Sequence, residues 1–307
     1  MNTVDDFVTL FRGRGDCYGA WEGGCIRQPL TRPVFEQHLA DGPHIGVYPG
    51  VVNKGDTLCV WGCSDIDYDG YDHALALHDT LAAVGIPSWC ERTVKGWHVW
   101  VFATQLVPAV DMRNMFLAAH QVCEVPPKEV NPKQTDLSNG SVGNYVRLPY
   151  HGWNQWEGAG VSTLTNPRRV VDTAVGRHVF LTLEDFLRRA LASRVTPDQI
   201  AEVASYYTPP QAPEFEALPE LGDVGVAASM LTPLGKVIYR DGPIEGRDRS
   251  TTLTHLAHEC HKAGLAPGDA LKVLEAADWK WGKKYVLRRD GGVQELTKLV
   301  VRAYGSP

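Results

Sequence analysis

The feature that most constrains the fold is the apolar run LCVWGC at 58–63, which ends directly in Ser64-Asp65-Ile66-Asp67. Such a run followed by carboxylates is typical of a buried strand that emerges at the edge of a sheet. Residues two apart on a strand point to the same side, so Asp65 and Asp67 are expected together, with Ile66 facing the core. Two carboxylates this close repel each other unless a cation lies between them, and Mg²⁺ or Mn²⁺ prefers oxygen ligands. The alternative is a solvated turn at the strand end, because D-x-D-x-D-G also favours loops.

Length and charge limit the class of protein. The chain has 307 residues and a formal net charge of -6, which suits one large or two modest domains. It has neither a secretory signal at the N-terminus nor an apolar run near the ~18–20 residues that cross a bilayer, so we expect a cytoplasmic protein without membrane contact. An acidic chain confines any nucleic-acid contact to local patches.

The cysteines favour a reducing compartment. There are seven, scattered through the chain, and they are expected to be buried thiols rather than disulfides. Cys59 and Cys63 are expected to pack on one face of the predicted strand. Cys17 and Cys25 could bind zinc together with a histidine, although the C-x2-C spacing is absent.

Periodicity divides the chain into three parts. Residues 1–207 alternate between helical and strand patterns and predict a mixed α/β domain. Residues 208–245 begin with TPPQAPEFEALPELG, which is rich in proline and acidic residues and predicts a linker. Residues 246–307 contain three stretches with apolar i, i+3, i+4 spacing and predict a small helical domain.

Two further stretches contain residues suited to catalysis. A Lys95-Gly96 turn joins two apolar segments as a predicted hairpin, and His98 lies in the second segment. A lone histidine on an apolar strand is more often structural, but beside a carboxylate pair it could donate to a phosphate oxygen. In EVNPKQ at 129–134, Glu129 could complete a metal site.

Two cations near this stretch suit a triphosphate. They are Lys133 and Arg147, and the planar guanidinium of Arg147 allows bidentate contacts. The alternatives are a solvated Lys133 and an Arg147 that pairs with an acid.

These motifs occur in a recognisable order. FRGRGD at 11–16, HL and IGVY, SDID, KGWHVW, EVNPKQ and GNYVRLP together resemble the archaeo-eukaryotic primase superfamily over most of residues 7–150, and primase-polymerases of phages, plasmids and bacterial conflict systems in particular. The resemblance implies an α+β fold with an RRM-like antiparallel sheet and flanking helices, followed by a small all-α domain.

The resemblance also implies roles for individual residues. It implies that Asp65, Asp67 and Glu129 bind the metal ions and that these three residues and His98 are catalytic. It implies that the nucleotide is bound by Lys95, His98, Lys133, Asn144 and Arg147. In the helical domain, Arg247, Arg249, Lys283 and Lys284 are candidates for template contact and initiation. Phe11, Arg12 and Arg14 belong to the N-terminal motif, to which no role is assigned.

The function implied is that of a DNA-dependent primase-polymerase. It would start primers on single-stranded DNA from NTPs or dNTPs with Mg²⁺ or Mn²⁺, and depend on a separate helicase because no G-x-x-x-x-G-K-[ST] motif occurs. The alternatives are a metal-dependent nuclease, a gap-filling polymerase that cannot prime, and an inert single-strand-binding module.

Overall fold

The computed structural model describes residues 2–67, 70–153, 168–209, 224–243, 249–282, 285 and 292–305. Two compact units are present, Met1–Thr208 and Pro209–Pro307. Among the described residues, no helix combines the length and the apolar character that crossing a bilayer requires.

The first unit mixes helices and strands. Its strands are β1 (Tyr18–Ala20), β2 (Cys25–Ile26), β3 (Ile45–Val47), β4 (Val51–Asn53), β5 (Asp56–Asp67), β6 (Trp89–Arg92), β7 (Gly96–Pro108), β8 (Glu129–Asn131), β9 (Val146–Arg147) and β10 (Arg169–Val170). Its helices are α1 (Thr3–Phe11), α2 (Arg32–Leu39), α3 (Tyr71–Ala83), α4 (Ala109–Cys123), α5 (Leu183–Ala192) and α6 (Pro197–Ser205).

Two antiparallel sheets organise this unit. The larger has the order β10-β6-β7-β5-β4, and β8 pairs with the last part of β5 while β4 pairs with its first part; the smaller has the order β2-β1-β3-β9. The predicted hairpin is β6–β7, closed where Thr93 N–H donates to the Gly96 carbonyl. The predicted α+β class with an antiparallel sheet is confirmed.

Both faces of the larger sheet are buried. Helices α3, α4 and α6 cover one face, where Ile66 packs with Leu77 and Phe116 in one apolar cluster. Helices α1, α2 and α5 contribute to a second cluster, in which Trp61 and Trp100 are completely buried. Alternation along β5 and β7 thus places Ile66 in the core and directs Asp65 and His98 to the side of the second cluster.

An irregularity in β5 overturns the expectation that Cys59 and Cys63 share a face. The register with β7 shifts between Cys59 and Trp61, and both Val60 and Trp61 pack in the second cluster. Cys59 therefore packs in the first cluster and Cys63 in the second. The physical reason is a bulge, which interrupts the two-residue period of a strand.

The second unit is helical where the structure describes it. Its helices are α7 (Val224–Met230), α8 (Pro233–Asp241), α9 (Arg249–Lys262), α10 (Pro267–Lys280) and α11 (Gly292–Tyr304). Helices α9 to α11 lie in the predicted helical segment, and they share one apolar cluster with the two preceding helices.

The predicted linker 208–245 differs from the structure in its second half, because α7 and α8 lie within it. Thr232 caps α8 by accepting from Gly235 N–H at 2.9 Å, with Pro233 in the first turn, and Ile238 is buried. This Thr-Pro pair is a helix-start signal that the proline-rich composition upstream obscured.

Candidate active site

Four acidic and histidine residues form one row across neighbouring strands of the larger sheet. In the antiparallel register Glu129 of β8 is opposite Asp65 of β5, and Asp65 is opposite His98 of β7. His98 is in turn opposite Glu91 of β6. Directly opposite residues of an antiparallel pair project to the same face, so the row collects these side chains on one side of the sheet.

His98 is held by a buried carboxylate. Its Nδ1 lies 3.0 Å from Glu91 Oε2, and its Nε2 lies 3.6 Å from Asp65 Oδ1. Arg168 Nη2 also approaches Nδ1, at 3.4 Å, but Glu91 is nearer and is the only one of the two that accepts. We therefore place a proton on Nδ1, donated to Glu91, which leaves Nε2 directed towards Asp65.

Glu91 is completely buried, and neighbouring side chains stabilise the charged form of its carboxylate. Arg168 Nη2 lies 2.8 Å from Glu91 Oε1, an ion-pair contact whose angles fall outside hydrogen-bond geometry. Trp100 Nε1 donates to Glu91 Oε2 at 2.8 Å. Burial by itself raises the pKa of Glu91, but the charge of Arg168 and the contact with His98 outweigh it, so that the pKa lies below its usual value.

The smaller sheet lies on another side of the site, and two of its glycines make room for the ring of Tyr145. Gly19 and Gly46 are cross-strand partners, and a Cβ on them would lie 2.4 Å and 2.2 Å from the Tyr145 ring. Tyr145 Oη donates to the Ala20 carbonyl at 3.1 Å. Only glycines at this pair of positions leave room for the aromatic ring.

Two predicted nucleotide-binding residues flank Tyr145. Asn144 Oδ1 accepts from Gln134 Nε2 at 2.9 Å, which leaves the Asn144 amide group as a donor. Arg147 Nη2 donates to the Trp21 carbonyl at 2.7 Å, and its guanidinium carbon lies 4.5 Å from the centre of the Trp21 ring. Nε of Arg147 is buried without a hydrogen-bond partner among the described residues.

These elements enclose a cavity of about 490 Å³. It is lined by Gly24, Cys25, Tyr48, Asp65, His98, Glu129, Asn131, Gly143, Asn144, Tyr145, Val146, Arg147 and Arg168. Carboxylates and guanidinium groups therefore face one space, as binding of both a cation and an anionic ligand requires.

Comparison with known proteins identifies the domain around this cavity. Residues 25–166 match the family model for the archaeo-eukaryotic primase domain of TOTE conflict systems. Over these residues the chain is therefore similar to archaeo-eukaryotic primase domains. Among solved structures the chain is similar to the crystal structure of primase RepB′, at 13% sequence identity and a TM-score of 0.31 over 100% of this chain and 96% of that one, a score too low to add to the family match. No curated protein matches the chain.

The resemblance predicted from the motifs is thus confirmed. A primase domain supports nucleotidyl transfer as the chemistry, with nucleic acid and nucleotides as substrates, and primases of this family generally use divalent metal ions.

Five of the residues predicted for the primase site line the cavity together, namely Asp65, His98, Glu129, Asn144 and Arg147. Lys133 lies at its margin, with Nζ 3.3 Å from Glu129 Oε2. Lys95 is exposed in the turn between β6 and β7 and is not a lining residue. The backbone of Asp67 ends β5 opposite Gly96, while its side chain lies outside the described residues.

The four residues predicted for template contact belong to the second unit. Arg249 begins α9 and donates from Nη1 to the Trp281 carbonyl at 3.0 Å. The other three, Arg247, Lys283 and Lys284, lie outside the described residues.

The N-terminal motif has a packing role in the first unit. Phe11 is buried in the second cluster, and Arg14 pairs with Asp16 at 2.5 Å. A Cβ on Gly13 would lie 2.2 Å from the carbonyl oxygen of Tyr48, a cavity residue. Gly13 thus allows the motif to pack tightly against the end of β3.

Sequence reasoning missed Glu91 and Arg168, which the structure places directly behind His98. A signal for Glu91 was present, because it is a charged residue inside an apolar strand, and the short turn of the predicted hairpin sets it opposite His98. Arg168 follows from no local pattern, since it reaches the site through tertiary packing.

A divalent cation fits the carboxylates of this site. Asp65 and Glu129 are cross-strand neighbours with side chains exposed by 32% each, open to the cavity. Carboxylate oxygens are the donors that Mg²⁺ and Mn²⁺ prefer. Among the described residues no group of three or more His, Cys, Asp or Glu side chains is arranged as a metal cluster, and the side chain of Asp67, the third predicted ligand, lies outside them. The same finding gives no support to zinc at Cys17 and Cys25, which are free thiols.

Proposed function

We propose that the chain is a DNA-dependent primase-polymerase that synthesises short primers de novo on single-stranded DNA. The observation that carries the proposal is the row of Glu129, Asp65 and His98 beside Arg147 in one cavity of about 490 Å³. A nuclease needs paired acids but no groups that bind a triphosphate. The guanidinium of Arg147 and the amide of Asn144 next to the acids therefore favour a polymerase.

In this proposal Asp65, Asp67 and Glu129 hold Mg²⁺ or Mn²⁺. Such ions, when bound, lower the pKa of an attacking 3′-hydroxyl and neutralise the charge of a leaving pyrophosphate. Asp65 and Glu129 determine the position of the ions, because they project from directly opposite positions of two paired strands.

The basic and amide residues around these acids bind the triphosphate. Arg147 offers a planar fork for two phosphate oxygens, with Lys133 and Asn144 as further donors. His98 Nε2 makes a hydrogen bond to the nucleotide, and Glu91 keeps it in that orientation through Nδ1. The task is largely electrostatic, since groups fixed before the reaction need no reorganisation during it.

Initiation requires two nucleotides on one template strand at once. We assign this task to the second unit, with Arg247, Arg249, Lys283 and Lys284 as contacts to template phosphates or to the first nucleotide. A separate helicase supplies the single strand.

The experiment is a synthesis assay on single-stranded DNA with labelled nucleotides and Mg²⁺ or Mn²⁺, with and without an annealed primer. Short products without a primer support the proposal. Extension of a primer without initiation would replace it by a gap-filling polymerase, and DNA binding without any synthesis would replace it by an inert binding module.

A further inference from the structure

A second cavity, of about 580 Å³, lies beside the proposed active site in the same unit. It is bordered by residues 20–23 of the turn after β1, by residues 42–45 before β3, and by Val94 and His151. The two cavities share the β1–β2 hairpin, because Gly24 and Cys25 line the first and Ala20, Trp21 and Ile26 line the second.

Parallel aromatic rings form one wall of this second cavity. Trp21 and His44 stack with centroids 4.5 Å apart and an angle of 20°, and His44 and His151 stack at 4.8 Å and 13°. His44 Nε2 lies 3.0 Å from the Leu148 carbonyl and His151 Nε2 lies 2.7 Å from the Gly42 carbonyl, so that both rings are fixed in orientation. Burial lowers the pKa of His44 to about 2, and its ring is therefore neutral.

The rest of the lining is apolar and small. Ile26, Pro43, Ile45 and Val94 lie around the rings, and among the described residues that line the space only Glu22 carries a carboxylate. Aromatic and apolar walls of this kind accept a flat, uncharged group better than a phosphate or a sugar.

Trp21 connects the two cavities. Its side chain is 46% exposed, its ring stacks on His44, and the guanidinium of Arg147 lies 4.5 Å from its centre. Arg147 lines the first cavity and has a buried Nε without a hydrogen-bond partner among the described residues. When the phosphate of a nucleotide lies near Arg147, the base of the same ligand can therefore reach the second cavity.

We propose that this second cavity binds an unpaired nucleobase, with Trp21, His44 and His151 as its aromatic wall. The inference rests on the proposed function, because a nucleotide or a DNA strand at Arg147 is what brings a base to this place. The base has one of two sources, the single-stranded template or the free nucleotide, and the chemistry of recognition is the same for both.

Photo-crosslinking tests the assignment directly, because a base in contact with an aromatic side chain forms an adduct with it. The probes are a single-stranded oligonucleotide that contains 5-iodouracil and the free nucleotide 5-iodo-dUTP, each with the full-length protein and Mn²⁺. We expect an adduct on the peptide that contains Trp21. An adduct with the oligonucleotide identifies the template as the source, and one with 5-iodo-dUTP identifies the nucleotide.

Two variants separate this contact from a disturbance of Arg147. Trp21→Leu removes the exposed indole, and because the ring already stacks on His44 and contacts Arg147, we expect about a two- to tenfold loss of affinity for the crosslinking probe, as for the loss of one edge contact between aromatic groups. Ala20→Leu narrows the cavity from β1, whose Ala20 lines it, without adding an aromatic ring, and should abolish the adduct while Trp21 is still present. Trp89→Leu, at a half-buried tryptophan that does not line either of these cavities, is the control and should leave probe affinity unchanged.

Adducts found only at other peptides, with both probes bound at wild-type affinity, would overturn the nucleobase site and leave the proposed function intact. An Ala20→Leu variant that gives the wild-type adduct and affinity would overturn it as well. A protein that binds neither probe would contradict the proposed function itself, and the nucleobase site with it.

Discussion

Replacement of Glu91 by glutamine tests the buried network behind His98. The Oε2 atom accepts from both His98 Nδ1, at 3.0 Å, and Trp100 Nε1, at 2.8 Å. In Glu91→Gln the amide oxygen has to take this place, which turns the amide nitrogen towards Arg168 Nη2, at 2.8 Å in the wild type. A donor then faces a donor, and the guanidinium of Arg168, whose side chain is only 7% exposed, loses its counter-charge.

The magnitude follows from the burial of both partners. Breaking a buried ion pair by removing one charge costs about 3–5 kcal/mol, because the other charge stays in a medium that solvates it poorly. We expect this loss in the free energy of unfolding at pH 7, measured by urea denaturation. The matched control is Asp65→Asn, at a carboxylate in the same row whose side chain is 32% exposed, for which we expect a change below about 1 kcal/mol.

The pH dependence supplies an independent check. The pKa of Glu91 is lowered in the folded state from its usual 4.5, so its contribution to stability is complete above that value and is lost as the pH falls through the folded pKa. The stability difference between wild type and Glu91→Gln should therefore shrink below about pH 4.5. Equal stability of the two proteins at pH 7, or a difference that stays constant into acid, would refute the reasoning.

Three further predictions concern the cavity wall, the N-terminal motif and the second unit. Arg147→Ala should weaken equilibrium binding of a nucleoside triphosphate about ten- to hundredfold, by the loss of charge-assisted hydrogen bonds, whereas Lys54→Ala, at an exposed lysine in the turn between β4 and β5, should leave it unchanged. Gly13→Ala should lower the free energy of unfolding by about 1–3 kcal/mol, because its Cβ would lie 2.2 Å from the Tyr48 carbonyl oxygen, whereas Gly15→Ala has open space and should cost less than about 0.5 kcal/mol; equal effects in thermal denaturation would contradict this. A 1–208 fragment that retains the circular dichroism signal of a folded domain should extend primers but not start them, and full-rate dinucleotide synthesis by it would refute the role of the second unit.

Much of the row of Glu129, Asp65, His98 and Glu91 could be predicted from the sequence, because the row depends on local periodicity. An apolar run that ends in Asp65 predicts a strand edge, and an apolar hairpin around His98 predicts its neighbour, so period-two alternation alone brings the two to one face. The strand that Glu129 begins, β8, was not predicted. Three residues are too few for a periodic signal, and the pairing with β5 is what makes them a strand.

Features that depend on contacts distant in sequence could not be predicted. The stacked rings of Trp21, His44 and His151 come from three separate segments, and no spacing relates them. The bulge that places Val60 and Trp61 on one side is invisible in an unbroken apolar run. Long-range packing decides such features, and a pattern in one stretch of chain carries no information about it.

Matched carboxylate variants test whether the acids at the end of β5 catalyse nucleotidyl transfer. Asp65→Asn and Asp56→Asn change two acids of the same strand, one in the cavity and one at its exposed start. On single-stranded DNA with Mn²⁺, we expect Asp65→Asn to stay folded but to retain below about 1% of wild-type synthesis. This is a loss of at least ~2.7 kcal/mol of transition-state stabilisation. We expect Asp56→Asn to be as active as the wild type. Wild-type synthesis by Asp65→Asn would contradict the account and remove this cavity as the active site.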